Sequence, residues 1–253
     1  MSDVEATAET STPSLQSIFE RLQRWYQVPS LLLIIGFMLW VRSQAWSRFI
    51  RGPTVYFTGN DPWYHFRMVE YAVSNSFQLQ PYEIWTGFSY GTNSGQFGTL
   101  FDQIIGVGAL IVGLGNPSTQ QIATSVLFAP AVFGSLVAIP TYLIARKFGG
   151  RIEAVFASVT LALLPGLFLQ RGLVGSADHN VAEPLFQSFA VAALAISVYV
   201  AERNRPVWEQ FLDRDYLGLR EVAGWGIIAG IATSLYLWMW PPGVLMIGIS
   251  VMK

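Results

Sequence analysis

Apolar residues in this chain fall in long blocks rather than at alternating or helical spacing. Trp25–Val41 lies between Arg24 and Arg42, Gln120–Ala145 is uncharged and ends at the basic "RKFGGR", Ala154–Gln170 follows, and Pro184–Ala201 ends at "ERNR". A helix needs about 17–25 largely apolar residues to cross a bilayer, and each block meets that requirement. Val222–Met252 is also uncharged but too long for one crossing. Its "WMWPP" contains two prolines, which remove backbone donors and break a helix. The pattern therefore predicts spans over 25–41, 120–145, 154–170, 184–201 and 222–239, with the start of another at 243–253.

Leu100–Gly115 is apolar but short, rich in glycine, and carries Asp102 and Gln103. If it does not span and the chain starts inside, nine Lys and Arg fall on the inner side and five on the outer. Basic residues favour the cytoplasmic side, so this arrangement is preferred over the alternative that puts "RKFGGR" outside. The segment then reads as an interfacial or re-entrant helix. Two outer loops result, 42–119 and 171–183. The mixed-charge loop Glu202–Arg220 lies inside. Residues 1–20 are polar, small and acidic and read as a disordered cytoplasmic tail without the marks of a signal peptide. The remainder, 21–253, reads as the N-terminal part of a transmembrane domain. The last apolar run stops at Lys253 with no following loop, which is expected of a fragment.

Composition agrees. The chain has 253 residues, 52% hydrophobic and 12% charged, about half the charge of a soluble domain. This is an all-α integral membrane protein of several spans. The absence of cysteine excludes disulfides and thiolate metal sites. A net charge of −1 argues against a nucleic-acid partner. Many tryptophans, among them Trp40, Trp46, Trp63, Trp85, Trp238 and Trp240, suit the headgroup level, and some can stack on a sugar or lipid.

The polar residues of the outer loops carry the candidate chemistry. In "TGNDPWYHFR", Asp61 before Pro62 reads as a helix N-cap, and a plain capping role accounts for it as well as a functional one. In "GSADHNVAEP", Asn180 and Glu183 fit a capping box. That box leaves Asp178 and His179 ahead of the helix unexplained, and ionisable groups at a membrane boundary are functional candidates. Asp61, His65, Asp178 and His179, with Glu183 nearby, offer carboxylates and imidazoles suited to a divalent cation, Mn or Mg. Arg171 can pair with a carboxylate or a phosphate, or anchor the interface.

These residues resemble a known family. "GNDPWYHFR" in an early outer loop, "ARKFGGR" closing a long span, "RGLVGSADHNVAE" between two spans and "YLWMWPPG" are similar, in that order, to the start of the oligosaccharyltransferase catalytic subunit of the archaeal AglB type, with bacterial PglB more distant. The resemblance covers almost the whole chain after the tail. It implies a membrane-embedded glycosyltransferase fold of the GT-C type. It also implies transfer of an oligosaccharide from a dolichol-phosphate-linked donor to Asn of an Asn-x-Ser/Thr sequon, at the extracellular face of the cell membrane. By the same likeness Asp61 binds the cation and the acceptor amide, Asp178 is a metal ligand, and Arg171 lies beside the site. Two residues after Asp178 the family has Asp, His or Glu, whereas this chain has Asn180, a neutral and weaker ligand; His179 or Glu183 can substitute for it. The family's later outer-loop Glu and its C-terminal soluble domain lie outside this sequence, so the chain is expected to be inactive alone.

Other readings are a protein O-mannosyltransferase-like enzyme, a transporter, or a scaffold subunit. A transporter needs polar groups at mid-membrane, and these spans have almost none. A scaffold has no need of acids on both outer loops.

Overall fold

The computed structural model describes residues 25–203 and 206–251. The acidic tail expected at 1–20 lies outside them. The described chain is helical, with two short antiparallel ribbons: β1 (Ile50–Arg51) with β2 (Thr54–Val55), and β3 (Tyr82–Glu83) with β4 (Thr92–Asn93). Among the described residues, four helical stretches are long and apolar enough to cross a membrane: Gln27–Arg48, Thr119–Phe148, His179–Arg203 and Tyr216–Met239.

The first contains α1 (Gln27–Ser43). Between it and the next stretch lie α2 (Asp61–Ser74) and α3 (Leu100–Val112). At 13 residues and about 1.5 Å per residue, α3 is about 20 Å long, too short for a bilayer. It packs on α2 instead, and both rest on α4 (Thr119–Leu136). Val69, Phe101, Ile105, Val126 and Phe133 form their shared core.

A capping box at Ser118 and Gln121 starts α4. The helix is interrupted at Val137, where α5 (Ala138–Phe148) begins. Pro140 has no N–H to return to Leu136, so the ladder breaks there. The predicted span 154–170 is two pieces, α6 (Arg151–Leu163) and α7 (Leu167–Arg171). Pro165 and Gly166 divide it, a proline that cannot donate followed by a glycine at φ 101°. Together they carry the chain from Phe148 back to the end of the bundle where α1 stops.

That junction is built around a buried arginine. Arg42, in the last turn of α1, is 1% exposed. Its guanidinium donates weakly to the Met38 carbonyl at 3.5 Å and lies over the Phe168 ring at 5.0 Å. Gly134 and Gly172 make room: a Cβ there would sit 3.0 Å and 2.7 Å from Arg42 Nε. The Arg42 carbonyl accepts from Val174 N at 3.0 Å, so the loop after α7 closes the end of α1.

The chain then forms α8 (Glu183–Arg203), the short α9 (Val207–Leu212) and α10 (Tyr216–Met239), which packs along α8. At "WMWPP", α10 ends at Met239, Trp240 is extended, a 3₁₀ turn spans Pro241–Gly243, and α11 (Val244–Val251) follows. The loop before α3 ties this break down. Thr99 N donates to Trp238 O at 3.2 Å, and Trp238 Nε1 donates to Thr99 Oγ1 at 2.8 Å.

Candidate active site

Two segments converge on one cavity of about 620 Å³. The first supplies Asp61, Trp63, Tyr64, His65 and Arg67 from α2, with Trp85 and Thr86 from the β3–β4 hairpin. The second supplies Asp178, His179 and Asn180.

The start of α2 is one residue earlier than the sequence pattern predicts. Asn60 is the N-cap, without a side-chain cap bond, and Asp61 is the first helical residue. The Asp61 carboxylate is therefore not used in capping, and no described residue hydrogen-bonds to it. Asp61 and His65 are four apart, so they share a helix face and look into the same cavity.

The second segment departs further from its pattern. Asp178, not Asn180, is the cap: it is extended (φ −153°, ψ 141°), and Oδ1 accepts from Asn180 N at 3.1 Å at the start of a 3₁₀ turn over His179–Val181. Asn180 lies inside that turn, and α8 begins at Glu183, so no capping box joins Asn180 to Glu183. Asn and Asp are about equally good caps; the earlier one takes the role here because its carboxylate also receives Asn180 Nδ2, at 2.6 Å. With Nδ2 so engaged, the ligand atom left to Asn180 is its carbonyl oxygen.

Asp178 is a hub of charge. His179 Nδ1 lies 3.0 Å from Oδ1, but off the axis of a hydrogen bond, so the contact is electrostatic. Arg171 NH1 is 3.9 Å from Oδ2, with its side chain half exposed. Burial alone would raise the Asp178 pKa. His179 and both Asn180 donors outweigh it and hold the carboxyl below the usual carboxylate range. Asp178 is thus ionised at neutral pH.

Behind the cavity, His65 Nδ1 meets Asp102 Oδ1 at 2.7 Å, with both side chains buried. Burial works against charge on His65, yet Asp102 first, then Asp178 and Asp61, raise its pKa above the ordinary value. The His65 and His179 rings are 5.8 Å apart, edge to face.

Among the described residues, His65, Asp178 and His179 bring potential ligand atoms within 4.8 Å of one another. Neighbouring ligands at bonds of about 2.0–2.2 Å sit about 3–3.6 Å apart, so sharing one cation draws these atoms together by up to about 1–2 Å. The Asp178 carboxylate, the His179 imidazole and the nearby Asn180 oxygen form a donor set that suits a divalent cation. Asp61 shares the cavity but stands outside this cluster, and Glu183 does not line the cavity. Asp102, which supports His65 from behind, carries little signal in the sequence. The available signal was an acid in the first turn of an otherwise apolar segment.

The chain has recognisable relatives. The chain is 51% identical over 242 residues to the dolichyl-monophosphooligosaccharide–protein glycotransferase AglB of Haloferax volcanii, a match covering 96% of this chain and 23% of that protein. In fold it resembles the archaeal oligosaccharyltransferase AglB of Archaeoglobus fulgidus, solved with an inhibitory peptide and a dolichol-phosphate (TM-score 0.74, 24% identity, 88% of this chain and 25% of that one). It also resembles an Archaeoglobus fulgidus oligosaccharyltransferase in complex with Zn and sulfate (TM-score 0.68, 25% identity, 85% and 25%). The chain therefore spans about a quarter of the length of these proteins. With its apolar helices this makes it a membrane protein of the multi-span GT-C fold. Residues 28–252 match the model of the oligosaccharyl transferase STT3 N-terminal domain, and the chain belongs to that family.

Proposed function

We propose that this chain forms the donor and metal half of an oligosaccharyltransferase active site, at the extracellular face of the cell membrane. The whole protein would transfer an oligosaccharide from a dolichol-phosphate-linked donor to the Asn side chain of an Asn-x-Ser/Thr sequon. The observation that carries this reading is the convergence of Asp61 and Asp178, from segments over a hundred residues apart, on one cavity in a chain of this family.

The roles follow from the chemistry. An acceptor amide nitrogen is a poor nucleophile because its lone pair is conjugated with the carbonyl. Asp61, which has no hydrogen-bond partner among the described residues, is free to accept an amide N–H and loosen that conjugation. Asp178, His179 and the Asn180 oxygen would hold the cation. When bound, the cation stabilises negative charge developing on the leaving phosphate. Arg171, half exposed beside Asp178, adds a second positive group for that phosphate. Trp63 and Trp85 give the cavity apolar walls on which a sugar face can stack. Imidazole in the donor set favours Mn over Mg, which prefers oxygen ligands and near-ideal octahedra.

A chimera tests this. This chain replaces the matching quarter of the Haloferax volcanii relative, and transfer of lipid-linked oligosaccharide to a sequon peptide is measured with Mn or Mg. Activity is expected, with Asp61→Asn and Asp178→Asn each lowering it by roughly 100-fold or more. Undiminished transfer by both variants would refute the assignment.

A further inference from the structure

One buried pair beside the cavity has no task in sugar transfer as described. Asp102, on α3, is 1% exposed, and His65, on α2, is 2% exposed. Their contact could be no more than a clasp between two helices. A clasp of this kind is a poor choice, because burying an ion pair is often no better than packing apolar side chains of equal volume. The rest of the α2–α3 interface is in fact built from apolar residues such as Val69, Phe101 and Ile105.

Geometry suggests what the pair does. Asp102 occupies Nδ1 of His65, which leaves Nε2 as the ring nitrogen with a lone pair to give. The ring is held between Phe101, at 4.8 Å, and Tyr64, at 5.1 Å, both edge to face. Its remaining aromatic neighbour is His179, and with Asp178 and His179 it completes the set of ligand atoms within 4.8 Å. A carboxylate on the rear nitrogen of an imidazole fixes the tautomer, fixes the ring plane and makes the forward nitrogen a better donor.

We propose that His65 is a further protein ligand of the divalent cation in this site, and that Asp102 is the positioning residue that keeps it in the metal-binding tautomer and orientation. This rests on the reading of Asp178 and His179 as metal ligands. It adds a second imidazole, which compensates for the weak ligand at Asn180 and draws the site further from Mg toward Mn. It also gives α3, a helix too short to cross the membrane, a role: it carries the acid that aims His65.

The test uses the chimera with the Haloferax volcanii relative, in lipid nanodiscs, with MnCl₂ as the probe. Free Mn is followed by electron paramagnetic resonance, and directly bonded nitrogens by pulsed measurements on the bound ion. Wild type is expected to show two imidazole nitrogens and His65→Gln one. Asp102→Asn should bind Mn roughly 10- to 100-fold more weakly, with a weakened His65 coupling. Asp102→Glu should recover part of the affinity, which a generic packing defect would not. If Asp102→Asn fails to fold, the nitrogen count in His65→Gln decides. Mn binding that Asp178→Asn abolishes but that is unchanged in affinity and nitrogen couplings in His65→Gln and Asp102→Asn overturns this proposal alone. Mn binding that is absent in wild type, or indifferent to Asp178→Asn, overturns the metal reading and this proposal with it.

Discussion

Asn180 is the neutral member of the cavity's polar cluster, and the geometry says what its amide does. Its side-chain amide donates to Asp178 Oδ2 at 2.6 Å, a contact that a second carboxylate would turn into repulsion. Asn180→Asp is therefore expected to have opposite effects with and without metal. In the presence of a chelator the thermal midpoint should fall, by the equivalent of about 1–2 kcal/mol for a lost hydrogen bond and a like-charge contact. Saturating Mn should reverse the order, because the added carboxylate is a stronger ligand. Thermal unfolding of both proteins in chelator and in Mn checks this; equal shifts in the two conditions would count against a ligand role at residue 180.

Among the elements, the β3–β4 hairpin is the one that closes a side of the cavity from outside the helices. Its tip brings Trp85 and Thr86 to the cavity. Glu83, buried, anchors it by accepting from Arg67 Nε at 2.8 Å and from the Thr86 backbone. Burial would raise the Glu83 pKa, but Thr86 and Arg67 lower it below the ordinary 4.5. A carboxyl with a depressed folded value stabilises the fold above its unfolded pKa and loses that contribution as pH falls through the folded one. The hairpin should thus stay docked at neutral and mildly acid pH and release only below the usual carboxylate range. Glu83→Gln removes the charge at every pH. It is expected to raise hydrogen exchange over residues 84–90 already at pH 7, and unchanged protection would show that the ion pair is not the anchor.

Legibility from sequence follows the same division. Long apolar blocks announce membrane-length helices because they need no partner to be recognised, and Asp61 and Asp178 stand out because charge is rare beside them. The cap was misplaced by two residues because Asp178 and Asn180 compete for one local role, and the contact that decides between them is between their own side chains. The run 154–170 looked continuous because hydropathy is blind to the backbone effect of Pro165 and Gly166. Asp102 was missed because its meaning lies in a contact with His65, 37 positions away.

At the scale of the whole molecule, the loop before α3 is fastened to the end of α10. Gly98 has φ 79°, and a Cβ there would lie 2.4 Å from Met239 O, an atom of backbone that cannot swing aside. The neighbouring Thr99–Trp238 bonds depend on that closeness. Gly98→Ala combines a strained φ with a backbone clash and should destabilise the protein by about 1–3 kcal/mol or more. It should also loosen α3, so that Mn affinity falls although no ligand has been touched. Denaturation and Mn titration of the same variant test both effects.

Arg42 adds a matter of timing. Chains are made from the N-terminus, so its guanidinium is present long before Gly134, Phe168 and Gly172, which enclose it. Until they arrive, the end of α1 must keep that charge in contact with water. The segment that finally seals it is also the one that delivers Asp178 to the cavity. Burial of the first helix's charge and placement of the second acid are therefore coupled, because one segment, from Phe168 to Asp178, does both.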